Sequence, residues 1–78
     1  MQADLRQASL YAANLENANL YQANLAGADL CEANLGNAYL ENACFEGALV
    51  RGALFTDAAG LSPAQKQWLR KRGALNIG

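Results

Sequence analysis

The groups in this 78-residue chain that could do chemistry are two thiols, seven carboxylates, three phenols and six cationic side chains, and it has no histidine. Without an imidazole, the usual base for a serine or cysteine nucleophile is missing. The thiols, Cys31 and Cys44, form no CxxC pair, so a zinc site would have to be assembled from carboxylates and thiols alone. Gly27, Gly47 and Gly52 are scattered and form no phosphate-cradling loop. Ser9 and Ser62 have local structural explanations. These residues point to no catalytic constellation, no cofactor and no metal, and the chain is expected not to be an enzyme.

The elements that position these groups follow a period of five. Leu5, Leu10, Leu15, Leu20, Leu25, Leu30, Leu35, Leu40, Phe45, Val50 and Phe55 are all large and apolar, and the residue two before each is alanine, from Ala3 to Ala53. On an α-helix a five-residue step turns the side chain about 140° beyond a full turn, so the leucines would form no stripe. On a flat strand an odd step sends successive leucines to opposite faces. The pattern can be buried on one side only if the chain turns a corner every five residues, keeping alanine and leucine inward. One such coil cannot enclose its own interior and must stack on the next.

The runs Ala13-Asn14-Leu15, Ala23-Asn24-Leu25, Ala28-Asp29-Leu30 and Ala33-Asn34-Leu35 resemble the pentapeptide-repeat signature, A(D/N)LXX, and the resemblance covers residues 3–58. It implies an all-β fold: a right-handed quadrilateral parallel β-helix of four pentapeptides per coil, here just under three coils. At the usual strand spacing of about 4.8 Å the stack would stand roughly 14 Å tall. The family is common in cyanobacteria and other bacteria, usually without a known activity. A few members resemble DNA in shape and charge and act on DNA gyrase.

Composition sets further bounds. The length suits one domain, marginal in size for a lone core. Apolar residues make up 53%, but no apolar run is long enough to span a membrane. Met1 leads directly into the first repeat at Ala3 with no n-region or h-region of a signal peptide, so the expected location is the cytoplasm. The net charge of −1 is divided: residues 1–60 carry all seven acids with Arg6 and Arg51, whereas residues 61–78 carry Lys66, Arg70, Lys71 and Arg72 and no acid. Cys31 and Cys44 occupy different outward positions, on different sides of a four-sided coil. They are therefore expected to be unpaired small fillers, in keeping with a reducing compartment, with a reactive thiol as the alternative.

The repeat decays after Leu40. The residue before each central one is Asn or Asp through Asn34, except for Ser9, and then becomes Tyr39, Cys44, Leu49 and Leu54. These outward apolar residues call for a cover, and the tail offers one. Ser62-Pro63-Ala64-Gln65 has the signature of a helix start: Ser62 as N-cap, Pro63 at the first helical position and Gln65 closing a capping box. The helix should run to about Arg72, with Gly73 just past its end and Leu61, Trp68 and Leu69 as its apolar face. The expected organisation is a repeat β-helix over 1–59 and a C-terminal capping helix and tail over 60–78. Leu75 and Ile77 are expected to continue onto Leu49 and Leu54.

The candidate functions are those of surfaces. Asn14, Asn24 and Asn34 either bind a ligand or bond local backbone near the corners. Lys66, Arg70, Lys71 and Arg72 either contact phosphate or form a solvated helix face. Tyr21 and Tyr39 fall on one side of a four-sided coil, with Tyr11 elsewhere, and are the candidate partner patch. DNA mimicry would need a long acidic stripe. The acids instead divide as Asp4 with Glu46, Asp29 with Glu32, Glu16 with Asp57, and Glu41 alone, which makes nucleic-acid-like binding of a DNA-handling enzyme such as gyrase the alternative. The first layer, Leu5, Leu10, Leu15 and Leu20, has no cap. Either the natural chain is longer or this end meets another molecule, and a homodimer through the N-terminal coil is expected. The leading expectation is a non-catalytic structural or protein-interaction module.

Overall fold

The computed structural model describes residues 3–78; Met1, which the sequence reading places directly before the first repeat, lies outside them. The chain forms a β-helix-like repeat fold followed by one α-helix, α1 (Pro63–Lys71). Eight parallel bridges join residues twenty apart in sequence: Asp4 to Asn24, Ser9 to Asp29, Asn14 to Asn34, Asn19 to Tyr39, and each of the partners to the residue one ring further on. A ring therefore contains four pentapeptides. The rings are not built from extended strands, because a corner follows each bridge and leaves every side one isolated bridge long.

Each backbone N–H within a repeat has a distinct destination, as the second and first rings show. The leucine N–H donates one ring up (Leu5 to the Asn24 carbonyl, 2.8 Å), and the residue before the leucine donates one ring down (Asn24 to Ala3, 2.9 Å). The second corner residue also donates upward (Gln7 to Ala26, 3.0 Å), and the next alanine closes the corner (Ala8 to Leu5, 3.1 Å). The remaining N–H, at the first corner residue, is met by the Asn or Asp side chain two residues earlier, as from Ala26 to Asn24 Oδ1 at 3.1 Å. Where the Asn or Asp is present the pairing is complete, which allows a coil without strands to be stable. The bond from residue four to residue one, with positive φ at residue three, is the signature of a type II turn.

Only Gly27, Gly47 and Gly52 supply that positive φ without strain. Gln7, Ala12, Asn17, Gln22, Glu32, Asn37, Asn42 and Asp57 adopt it with φ between 56° and 65°. Left-handed backbone costs a non-glycine residue about 1–2 kcal/mol. Stacking overrides that cost because each corner is fixed by hydrogen bonds to the neighbouring ring.

Inside, Leu25, Leu30, Leu35 and Leu40 are completely buried, with Ala28, Ala33 and Ala38 between them. Phe45, Val50 and Phe55 fill the third layer, the two rings meeting edge to face at 6.0 Å. Leu69, Ala74 and Ile77 of the tail belong to the same core.

The helix begins as its sequence predicts. Gln65 N–H donates to Ser62 Oγ at 3.1 Å, and Ser62 N–H donates to Gln65 Oε1 at 3.0 Å, completing a capping box. The Gln65 amide also donates to the Ala43 carbonyl at 2.8 Å, tying the helix to the third ring. At the other end Ala74 donates to the Leu69 carbonyl and Gly73 to that of Arg70, a Schellman motif with Gly73 at φ 94°. Gly60, where the chain leaves the last ring, has φ 93°, and a Cβ there would lie 2.5 Å from the Glu41 nitrogen.

Two expectations for the tail need correction. Leu75 stacks on Leu54 through a parallel bridge, but Leu49 stays 57% exposed, because the returning tail meets the Leu54 side of the coil and not the neighbouring Leu49 side. Ile77 is buried beside Thr56, Ala58 and Lys66 instead of near Leu49. Of the expected apolar face only Leu69 is fully covered; Trp68 and Leu61, which precedes the helix, are half-buried, and the Arg72 guanidinium lies 4.7 Å from the Trp68 ring centroid.

Candidate interaction surfaces

The fold brings Tyr21 and Tyr39 together. Tyr39 stands at the bridging position of the side that carries Asn19 and Ala59, and Tyr21 follows Leu20 at the adjoining corner. Their rings are stacked, with centroids 6.0 Å apart and planes 17° from parallel. They are 41% and 46% exposed, so the pair is a surface feature on a rigid wall. Asn19 Oδ1 accepts from Tyr21 N–H at 3.2 Å, which fixes the backbone beneath the first ring. Tyr11 lies at another corner and takes no part.

The Asn and Asp side chains are occupied. Asn14, Asn24 and Asn34 each accept from the N–H two residues on, at 3.0, 3.1 and 2.9 Å, and Asp29 does the same for Cys31 at 3.0 Å. This is the local role, and it explains where the sequence decays: Tyr39, Cys44, Leu49 and Leu54 have no short side-chain oxygen to offer their corners. Decay of the motif leaves Leu49 on one side of the last ring and Leu54, with Leu75 beyond it, on the next.

A cleft of about 340 Å³ opens between α1 and the third ring, lined by Ala43, Cys44, Phe45, Glu46, Gln65, Trp68 and Leu69. Its walls are mostly apolar, and only Cys44 and Glu46 among them are titratable. Cys31 borders a separate depression with Leu49, Arg51 and Arg72. Both cysteines are free. Sequence reading missed these hollows, since each joins residues from the wall to residues of the tail.

At the first ring Arg6 forms a two-pronged ion pair with Asp4, at 2.9 and 2.8 Å. Those hydrogen bonds, with that from the Arg6 N–H, lower the Asp4 carboxyl from its ordinary value to about 2. Among the described residues there is no group of three or more His, Cys, Asp or Glu side chains placed to hold a metal. No helix of the described residues is long and apolar enough to cross a membrane.

A twenty-residue coil with alanine and leucine inside and Asn/Asp-closed corners defines a pentapeptide-repeat fold. The chain belongs to the pentapeptide repeats family, whose repeats match residues 1–37 and 18–57 in eight copies. It is similar to a pentapeptide repeat protein from the Arabidopsis thaliana thylakoid lumen, solved by crystallography, with 36% identity and a TM-score of 0.53. That likeness covers 91% of this chain and 64% of the plant protein, so this chain spans somewhat under two thirds of its length. No curated protein matches the chain.

Proposed function

We propose that this chain is a non-catalytic protein-interaction module whose binding face centres on Tyr21 and Tyr39. The observation that carries this reading is the stacked, half-exposed pair on a wall whose backbone is hydrogen-bonded at every corner. Tyrosine contributes large contact area with few rotatable bonds, so such a pair loses little entropy on binding. The rigid coil, read as right-handed and four-sided with α1 capping its last ring, serves as the scaffold. The cytoplasm is the proposed location, supported by the two free thiols, although the plant relative is a thylakoid lumen protein.

DNA mimicry is the weaker reading on charge grounds. A duplex segment as long as the 27 Å principal axis would carry about 16 phosphate charges at one per roughly 1.7 Å. The whole chain has seven acids against six bases.

The test places a photo-crosslinking residue at position 39, and separately at Glu16 on another side, in the native host. A specific protein adduct is expected at 39 and not at 16. Binding of the captured protein to a Tyr21→Ala variant should fall at least about fivefold, as for a residue worth 1 kcal/mol or more at an interface. Equal crosslinking at both positions, or unaltered binding of the variant, would refute the assignment of this face.

A further inference from the structure

The depression beside Cys31, about 390 Å³ in volume, gathers positive charge without a counter-ion. Its walls are Cys31, Ala48, Leu49, Val50, Arg51 and Arg72, with no carboxylate among them. Arg51 stands at a corner of the third ring, and Arg72 is the C-cap of α1. The returning chain brings the two together. Gly52 N–H donates to the Gly73 carbonyl at 2.9 Å, and a Cβ added at Gly73 would lie 3.4 Å from the Arg51 Cα. The Arg72 guanidinium is placed further by the Trp68 ring, 4.7 Å from its centroid. The ion pair among the described residues is that of Arg6 with Asp4; Glu32, at the Arg51 corner one ring below, pairs with neither guanidinium of the depression.

Two backbone donors lack acceptors at the same place. Leu10 and Leu30, below Val50 on this side, donate their N–H groups one ring up, to the Asp29 and Leu49 carbonyls at 2.8 and 2.7 Å. Val50 N–H meets no carbonyl among the described residues. The Cys31 N–H is met by Asp29 Oδ1 at 3.0 Å. One ring up, Leu49 stands in the place of Asp29 and offers Arg51 N–H no oxygen. The change from Asp to Leu along this side thus frees a donor and removes a negative charge.

We propose that this depression binds a phosphate monoester with a compact apolar body. Such a group carries a charge of about −1.5 to −2 and three strong acceptor oxygens. It matches two guanidiniums and two N–H groups in charge and in acceptors, whereas a carboxylate brings one charge and two oxygens. Two cations on one depression repel, and an anion between them replaces the repulsion with charge-assisted hydrogen bonds. Beside them Leu49, 57% exposed, gives the apolar body a surface to cover. The site stands apart from Tyr21 and Tyr39, which belong to the Asn19 side of the coil and its adjoining corner.

The probe is phenyl phosphate, titrated into the 78-residue chain at low ionic strength and followed through amide and arginine Nε resonances. Saturable shifts are expected at the Val50 and Arg51 amides and at the Nε of Arg51 and Arg72, and phenol, which lacks the charge, should give none. Arg51→Gln and Arg72→Gln should each weaken binding about tenfold, as for the loss of a hydrogen bond to a charged group. Lys71→Gln, at the same end of the helix, should change it by less than about twofold, as for an exposed charge outside the site. Leu49→Ser should weaken phenyl phosphate and leave inorganic phosphate unchanged. Arg51 and Arg72 are exposed, so their variants should keep the circular dichroism of the parent; if either fails to fold, the shift pattern of the parent decides. Shifts that do not saturate, shifts spread equally over Lys66, Arg70 and Lys71, or unaltered binding in the arginine variants overturn the proposal. Unaltered phenyl phosphate binding in Leu49→Ser overturns its apolar half.

Discussion

Replacing Leu30 by alanine, alongside the same change at Leu10, tests the layered interior most directly. Leu30 is completely buried in the second ring, in register with Leu10 below and Val50 above, as the bonds from Leu10 N–H to Asp29 and from Leu30 N–H to Leu49 show. Both neighbours hang from hydrogen-bonded backbone and cannot collapse into the space. The full cavity term therefore applies, and the expected loss is about 3–5 kcal/mol, the upper part of the range for Leu→Ala. A chain of this length has a total stability of roughly 4–12 kcal/mol, so the variant should be largely unfolded or unfold at far lower denaturant. Leu10 is only partly covered, and its change deletes half-hydrated methyl groups without enclosing a cavity. At about 0.8 kcal/mol per fully buried methylene, its loss should be about 1–2 kcal/mol. The assay is urea denaturation at low micromolar protein, followed by circular dichroism and Trp68 fluorescence. Equal losses at Leu10 and Leu30 would show that the first layer is as enclosed as the second, and would refute the reasoning.

Gly60→Ala places a Cβ against the Glu41 backbone and forces a φ of 93° on a side chain, so it should destabilise by at least about 1–3 kcal/mol, measured by the same melts. Asp4 should titrate with a midpoint near 2 in carbon-detected NMR, and Arg6→Gln should return it towards the ordinary carboxylate value. Because its folded pKa is depressed, the stability it contributes is present above about pH 4 and is lost as the pH falls through about 2; a normal midpoint would show that the ion pair does not persist in solution.

The inward and outward assignment of every repeat was legible in the sequence, because a period of five admits only a stacked coil and because only apolar side chains can line its axis. The start and end of α1 were equally legible: Ser62, Pro63, Gln65 and Gly73 act through bonds to near neighbours. The local use of Asn14, Asn24 and Asn34 was legible for the same reason. The placing of Tyr21 near Tyr39 rested on the ring of four pentapeptides, which came from the family resemblance and not from the period itself. Tertiary structure alone decided the rest. Eight side-chain-bearing corners adopt left-handed backbone that their own preferences oppose, because hydrogen bonds from adjacent rings leave no other geometry. Leu49 stays in solvent while Leu75 stacks on Leu54, because the returning tail meets one side of the coil and not its neighbour. Local sequence sets which way a side chain points relative to its own backbone; what lies opposite it depends on where a distant segment comes to rest.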